Sequence, residues 1–464
     1  MMRRWVLAIA LLSVVLPTAL LRAGAPSRAA VDAGAARDAA PLGAGAEVAR
    51  RQEGEARALL AVVSRLRELP VRAPVPMSVA SRVQVLAQIE HRLATEYEQA
   101  EIAGEEQVLK RLGLLPLDLD YRRAVLALLT EQIAGFYDPR TRRLAIADWL
   151  PLTLQRPTLV HELCHALQDQ HFHLLRFVRP LKDNSDRQLA QAALVEGDCT
   201  GAMLEYVLQP AGLDLGSVPG QLEQFVSAAL GASSRGGAPV PVYLREVLTF
   251  PYLSGLRLIQ RVRANQPWSA VSALFRRPPQ TTEQVLHFEK YRAHEPPLAL
   301  RPRALPALGS ASIVRQDTLG EFQLRLYLAQ GLDPTLAERA AAGWGGDRLV
   351  AYRLSAAAPL PAIVHLTVWD SEADAIEFVN AEQQLFAARR VRAGQPGAAG
   401  APVGAIVYRD AEGAEWSAER RGRLVLSLMA FPAEQRAALQ QEVWLRWCGP
   451  GLACRRAPGG SAPE

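Results

Sequence analysis

The chain has 464 residues, of which 49% are hydrophobic and 21% are charged. These proportions are typical of a globular protein of two or three domains and exclude a chain that is disordered throughout. The formal net charge is +5, but the positive charge comes almost entirely from scattered arginines, with lysine only at positions 110, 182 and 290. Since nucleic-acid-binding proteins cluster their basic residues, no nucleic-acid partner is expected.

The N-terminus has the pattern of an export signal. Arg3 and Arg4 precede an apolar stretch over residues 5–21, and small residues at Ser27 and Ala29 offer a cleavage site. We therefore expect a signal peptide over residues 1–29 and a protein that works in the periplasm, at the cell envelope or outside the cell. The alternative is an uncleaved membrane anchor, although Pro17 and the short apolar stretch disfavour a spanning helix.

Residues 30–48 are rich in Ala and Gly and are expected to form a flexible linker. Helical periodicity then predicts helices over residues 56–69, 79–107 and 121–132. The short segment 143–147 is predicted to be a strand. It fits two interpretations: a sheet edge that binds an extended peptide through main-chain hydrogen bonds, or an ordinary core strand.

The pentapeptide from His161 to His165 contains two metal ligands and a base. On a helix, residues four apart share a face, so both imidazoles can reach one zinc ion. Glu162 projects from the flank of that face and is expected to act as the general base of a hydrolase.

Glu196 is the predicted third ligand. It lies in the apolar stripe of a helix expected to run from the N-cap residues Asn184 and Ser185 to about Leu208. A buried carboxylate needs a partner, and a divalent cation is a strong candidate. Gly197 would let a second backbone approach closely.

His171 is the rival third ligand, because it follows His165 by six residues, as in the zinc peptidases with three histidines. In that class a glycine ends the helix and turns the third histidine back to the metal. Here Gln168 occupies that position, and no helix breaker follows it before His171. The sequence therefore favours Glu196.

These motifs resemble those of a group of bacterial secreted proteins with a gluzincin-type zinc peptidase core. The matching segments are EQIAGFYDP (131–139), HELCHALQDQHF (161–172), LVEGD (194–198), TEQVLHFEKY (282–291), GWGGDR (343–348) and WDSEAD (369–374). The resemblance implies zinc at His161, His165 and Glu196 with Glu162 as base, but no particular substrate. The chain departs from the family pattern at Cys164, Cys199 and Phe288, where Thr, Ala and Pro are expected.

The expected fold class is α+β. A mainly helical, gluzincin-like peptidase domain with a short edge sheet would occupy residues 49–297, and the proline-rich segment 296–306 would act as a linker. Strands at 364–368, 406–409 and 424–429, with helices at 372–386 and 433–446, predict a smaller α+β domain of ferredoxin-like size over residues 298–447. Residues 448–464 are expected to be a disordered tail.

The sequence predicts an exported zinc metallopeptidase that acts on peptide or protein substrates. His287 is a candidate oxyanion donor, Asp198 a candidate for orienting a ligand imidazole, and Tyr137 and Tyr252 are weaker candidates. Two alternatives remain: an envelope interaction protein with a metal-free, inactive core, and a zinc amidase that acts on amides outside proteins.

The four cysteines form two candidate disulfides. Cys448 and Cys454 flank a short Gly-Pro-Gly turn in a chain expected to meet oxidising surroundings. Cys164 and Cys199 each follow a metal ligand by three residues. They would form a bridge between the two helices, fill the seam as free thiols or, least favoured, place Cys164 on the zinc.

Overall fold

The computed structural model describes residues 44–96, 98–132, 135–147, 152–216, 240–392, 407–410 and 413–448. The predicted signal peptide, most of the linker and Cys454 lie outside the described residues, as does the side chain of Cys448. The structure is an α+β fold with one sheet of three strands and one of six.

Helices dominate the first part of the chain. They are α1 (Ala44–Arg67), α2 (Arg82–Glu96), α3 (Gln99–Arg111), α4 (Tyr121–Gln132), α5 (Leu152–Phe172), α6 (Leu175–Val178), α7 (Ser185–Leu208), α8 (Val242–Arg263), α9 (Trp268–Leu274), α10 (Thr282–Leu286) and α11 (Phe288–Arg292). The prediction of a flexible linker over residues 30–48 is wrong for residues 44–48, because α1 begins at Ala44. The single helix expected over 79–107 is also wrong, because a strand precedes α2 and a break separates α2 from α3.

The three-stranded sheet consists of β1 (Met77–Ala80), β2 (Gly135–Asp138) and β3 (Arg143–Ala147), in the order β1-β3-β2. β3 pairs in parallel with β1 and antiparallel with β2, so it is the central strand. Its N–H and C=O groups are therefore used within the sheet on both sides. This excludes the interpretation of segment 143–147 as a peptide-binding edge and favours its role as a core strand.

Helices α5 and α7 carry the predicted metal ligands and lie at the centre of an apolar cluster. Asn184 caps α7 by accepting a hydrogen bond from the Arg187 N–H at 2.8 Å, as its sequence position predicts. Helix α8 packs alongside α7, with Gly197 against Gly255 and Glu205 against Arg263, so the two helices run parallel. A Cβ on Gly197 would overlap the Gly255 backbone, which explains the glycine at this crossing.

The second part of the chain forms the six-stranded sheet. Its elements are β4 (Ser312–Asp317), α12 (Gly320–Leu328), α13 (Pro334–Ala341), β5 (Trp344–Arg353), β6 (Ala362–Trp369), α14 (Glu372–Arg392), β7 (Val407–Arg409), β8 (Glu415–Arg421), β9 (Leu424–Phe431) and α15 (Ala433–Cys448). The strand order is β4-β5-β6-β9-β8-β7 and every pairing is antiparallel. The predicted strands near 364–368, 406–409 and 424–429 and both predicted helices are present, but the other three strands and two helices of this part were not predicted.

The two parts of the chain are joined by a common core. One hydrophobic cluster contains buried side chains from α3, α4 and α7 together with side chains from α12, α14 and β5. The proline-rich connection is ordered against the second sheet, since the Leu298 N–H donates to the Gly345 carbonyl at 2.7 Å. Within the described residues, no helix combines the length and the apolar character needed to cross a bilayer.

Candidate metal centre

His161, His165 and Glu196 converge, as the sequence predicts. The Nε2 atom of His161 lies 3.0 Å from His165 Nε2 and 3.2 Å from Glu196 Oε2, and His165 Nε2 lies 3.4 Å from the same oxygen. All three side chains are buried. Two imidazole nitrogens and one carboxylate oxygen form a set of ligands that zinc binds, and they leave a fourth coordination position for water or substrate.

The crossing of α5 and α7 fixes this convergence. Cys164 lies one turn after His161, and Cys199 lies one turn after Glu196. Their Cα atoms are 5.4 Å apart and their sulfur atoms are at bonding distance. Of the three interpretations of this pair, the structure has the bridge. Cys164, Cys199 and Asp198 also lie close together, but bridged sulfurs are not free to bind a metal.

Glu162 follows His161 on α5 and lies close enough to His165 and Glu196 for their charges to affect its pKa. Its Oε2 accepts a hydrogen bond of 2.7 Å from the backbone N–H of Tyr137 in β2. Its Oε1 is buried and has no hydrogen-bond partner among the described residues. A buried carboxylate oxygen without a partner is rare in a folded protein, so Glu162 is able to accept a hydrogen bond from a molecule that enters the site.

Burial and mutual charge shift the protonation of the cluster. Burial raises the pKa of Glu162 to about 8, although the His165 imidazole and the Tyr137 N–H oppose the shift. Burial also favours neutral Glu196, but the two imidazoles outweigh it and lower the pKa of Glu196 to about 2. Burial disfavours protonated His165, yet Glu196 and Glu162 raise its pKa to about 9. Positive charge is therefore stabilised between these carboxylates.

Gln168 is the residue in contact with the outer face of His165. Its Oε1 lies 2.9 Å from His165 Nδ1, and its Nε2 donates to Asp198 Oδ2 at 2.7 Å. The expectation that Asp198 orients a ligand imidazole directly is therefore wrong, because the Gln168 amide lies between them. Asp198 instead accepts from Arg67, with Nε at 2.5 Å and Nη2 at 3.2 Å, and both side chains are fully buried.

Sequence reasoning missed both Arg67 and Gln168. Arg67 ends α1 and resembles the basic residues that often occupy the last turn of a helix. Its partner is 131 positions away in sequence, so no local pattern connects them. In the sequence, Gln168 stands out only because it occupies the position where the three-histidine zinc peptidases have a helix-ending glycine. Its position three residues after His165, on the same helical face, was the available signal.

The partners of His287 are not residues of the cluster. It separates α10 from α11, and its Nε2 is 2.8 Å from Glu321 Oε1. The hydrogen bonds and ion pairs of the described residues give His287 no contact with the three ligands, so its predicted role as an oxyanion donor has no support from them. The ring turns toward Glu321 because it sits at the break between two short helices rather than on one helix face.

The contacts of the other three candidates, Tyr252, Tyr137 and His171, show which of them lies against the cluster. Tyr252 of α8 is buried and stacks on His161 with ring centroids 6.3 Å apart. The hydroxyl of Tyr137 donates to Asp169 at 3.0 Å, so only the backbone of Tyr137 reaches Glu162. His171 bonds to the Pro70 carbonyl at 2.7 Å and does not join the cluster, as the missing glycine predicts.

One family comparison gives a match, and it covers the second part of the chain. A family described as a domain of unknown function (DUF8575) matches residues 310–440, which span the six-stranded sheet and the first half of α15. No curated protein and no solved structure matches the chain significantly. Since the matched segment contains none of the metal-site residues, the match identifies a domain and carries no chemistry for the site.

Proposed function

We propose that the protein is a zinc-dependent hydrolase that cleaves peptide bonds, with zinc held by His161, His165 and Glu196. The observation that carries the proposal is the environment of Glu162: a buried carboxylate with one oxygen fixed by a backbone N–H and the other without a partner, under the influence of the charges of His165 and Glu196. A bound zinc ion in such a site lowers the pKa of its water and polarises a carbonyl group.

Glu162 is the residue that moves the proton in this proposal. Its Oε2 is held by the Tyr137 N–H, so Oε1 is the oxygen left to accept a proton from water. Burial raises the pKa of Glu162, which makes the carboxylate a stronger base for that proton and lets the acid form persist until the leaving amine takes the proton. A carboxylate in bulk water, with a pKa of about 4.3, is a weaker base and would hold that proton less well before the second step.

Peptide bonds are the proposed substrate because they present both a carbonyl to polarise and an amine to protonate. Amides outside proteins offer the same two groups, and an amidase remains the related alternative. The proposed substrate lies outside the cytoplasm, because the export signal predicted for residues 1–29 would deliver the chain there.

A structural zinc site is the second candidate function. It is favoured by burial, since Glu162 and His165 are each only 1% exposed and His161 and Glu196 are each 4% exposed. Structural zinc sites are closed, whereas catalytic ones keep an open position. Against it stands Glu162, which a purely structural centre with three protein ligands does not need.

Replacement of Glu162 by Gln tests the proposal. The variant keeps the shape of the side chain and all three ligands, so it should retain one zinc per chain. Hydrolysis of a quenched-fluorescence peptide library should fall by a factor of about 10² to 10⁴, because the group that transfers the proton is lost.

Glu289→Gln is the matched control, because Glu289 is exposed on α11 and has no part in the proposed metal site. It should leave both zinc content and turnover unchanged. Equal turnover in the Glu162 variant and the parent would disprove the mechanism. If zinc binds and stabilises the fold, but the parent hydrolyses no peptide or peptidoglycan amide, the structural site is the better account.

A further inference from the structure

The hydrogen bonds of Gln168 fix the orientation of its amide. The nitrogen lies 3.0 Å from the Val195 carbonyl oxygen and 2.7 Å from Asp198 Oδ2, and both of these atoms can only accept. If the amide were turned over, its oxygen would face two other oxygens. The side chain is fully buried, so water cannot relieve that repulsion. Oε1 must therefore face His165.

This orientation determines the tautomer of His165. Gln168 Oε1 can only accept a hydrogen bond, and it lies 2.9 Å from His165 Nδ1. Nδ1 must therefore carry the hydrogen and donate it to Oε1. In the neutral imidazole, Nε2 is then the nitrogen with the free lone pair. That nitrogen is the one that points at His161 and Glu196. The amide thus holds the ring ready to bind through Nε2.

A buried ion pair holds the amide in turn. Asp198 accepts from two nitrogens of Arg67, and the third nitrogen, Nη1, bonds to the Trp268 carbonyl at 3.2 Å and to Ser272 Oγ at 3.1 Å. The guanidinium also lies over the Trp268 ring, 4.8 Å from its centroid. Arg67 is thereby immobilised from several directions. The position of Arg67 therefore fixes the orientation of the Asp198 carboxylate, and that carboxylate fixes the orientation of the Gln168 amide.

We propose that Gln168 is a positioning residue for the metal centre, and that the Arg67–Asp198 pair holds its amide so that His165 presents Nε2 to the metal. The inference rests on the proposed zinc site. It assigns to Arg67, at the end of α1, an effect on a metal bound by α5 and α7. A carboxylate in contact with the imidazole could share its proton, whereas an amide cannot, so Gln168 fixes orientation without exchanging a proton.

The test compares Gln168→Met with Gln170→Met in the full chain. Methionine has a similar length and cannot accept strongly from an N–H. Gln170 lies two residues further along α5, on the surface, where it contacts Arg72 and Ala73. Zinc affinity would be measured by competition with a chromophoric chelator, and ligand geometry from the visible spectrum of the cobalt-substituted protein.

The Gln168 variant should bind zinc about 10- to 100-fold more weakly and change the cobalt spectrum, as expected when the partner of a ligand histidine is lost. The Gln170 variant should match the parent in both measurements. A folded Gln168→Met chain with the parent's affinity and spectrum would overturn the inference. If the parent itself binds no zinc, the proposed function fails, and the two failures are thus distinct.

Asp198→Asn tests the buried pair and decides the question if the Met variant does not fold. Asparagine offers an N–H where the carboxylate only accepts, so it weakens both the bond to Arg67 and the constraint on the Gln168 amide, and zinc affinity should fall about tenfold with a change in the cobalt spectrum. A folded Asp198→Asn chain with the parent's affinity and spectrum would overturn the inference, because the pair would then have no effect on how His165 meets the metal.

Discussion

At the scale of single residues, the metal site is a balance of buried charges. Glu196 keeps its negative charge because two imidazoles face it, and His165 keeps a positive charge because Glu196 and Glu162 do. A proton shared among these groups satisfies the carboxylates in the absence of a cation. In the proposed function, a divalent ion would replace that proton, since it would bind the same three atoms and supply the positive charge directly.

Replacing Glu196 by Ala should abolish stoichiometric zinc binding, whereas His171→Ala should not affect it. The first change removes one of three ligands and leaves two imidazoles that bind zinc weakly. The second removes a histidine of the same helix whose Nε2 bonds to the Pro70 carbonyl. Metal analysis of purified protein after dialysis measures both. Loss of zinc only in the His171 variant would reverse the assignment of the third ligand.

At the scale of elements, the site depends on the contact between α5 and α7. The bridge between Cys164 and Cys199 lies in the same seam as the ligands, and both cysteines are fully buried. A buried disulfide is protected from reductants in solution, so this one should keep α5 and α7 linked. It would keep the ligand atoms together before any metal arrives.

Cys164→Ala with Cys199→Ala should therefore lower the stability of the metal-free protein by about 3–4 kcal/mol, the loop-closure value for a separation of 35 residues. Urea unfolding followed by tryptophan fluorescence measures the loss. Cys448→Ala with Cys454→Ala is the control, since its shorter loop predicts a smaller effect. Peptide mapping without reductant that recovers Cys164 and Cys199 as two separately alkylated thiols would contradict the clamp.

The local parts of this arrangement could be predicted from the sequence, and the non-local parts could not. The two histidines, Glu162 and the cap at Asn184 follow from spacing within one helix turn. β1, by contrast, has four residues and pairs with β3 across a gap of 67 positions, from Met77 to Leu144. A strand that short has no measurable period, so only the folded chain identifies it.

The same reason explains the misses in the second sheet and around the ligands. β5 begins with Trp344 and two glycines and then carries Asp347 and Arg348, which hide the alternation of a strand. The connection from Arg67 on α1 to His165 on α5 passes through Asp198 on α7 and Gln168 on α5. Each residue looks ordinary alone, and the chain of hydrogen bonds exists only after packing.

At the scale of the whole molecule, Asp186 joins the ligand helix to the domain matched by DUF8575. It lies in the first turn of α7, and its Oδ1 accepts from the N–H of Thr282 at 2.8 Å and from the Thr282 hydroxyl at 2.5 Å. Its own N–H donates to the Thr318 carbonyl at 3.1 Å. Gly320 at the start of α12 has φ = +75°, and a Cβ there would overlap the Asp186 carboxyl group. Three elements thus meet at one buried acid.

Asp186→Asn should preserve or increase the free energy of unfolding, whereas Asp186→Ala should lower it. Burial raises the pKa of Asp186 well above its usual value, with Asp347 and Glu321 adding to the shift while the Thr282 bonds oppose it. The folded chain therefore favours the neutral acid, which Asn imitates while it still offers an oxygen to Thr282. Alanine leaves the N–H and hydroxyl of Thr282 without that acceptor, at about 1–3 kcal/mol for each buried group.

The effect should depend on pH in a defined direction. Above the pKa of an unfolded aspartate, about 3.9, the unfolded chain has lost a proton that the folded chain still binds, so the stability of the parent falls as the pH rises toward the folded pKa. The Asn variant lacks this contribution, and its advantage over the parent should grow between pH 5 and pH 8. Urea unfolding at both values measures it. An Asn variant as unstable as the Ala variant, or a difference independent of pH, would show that Asp186 is charged in the folded protein and that its negative charge stabilises the joint.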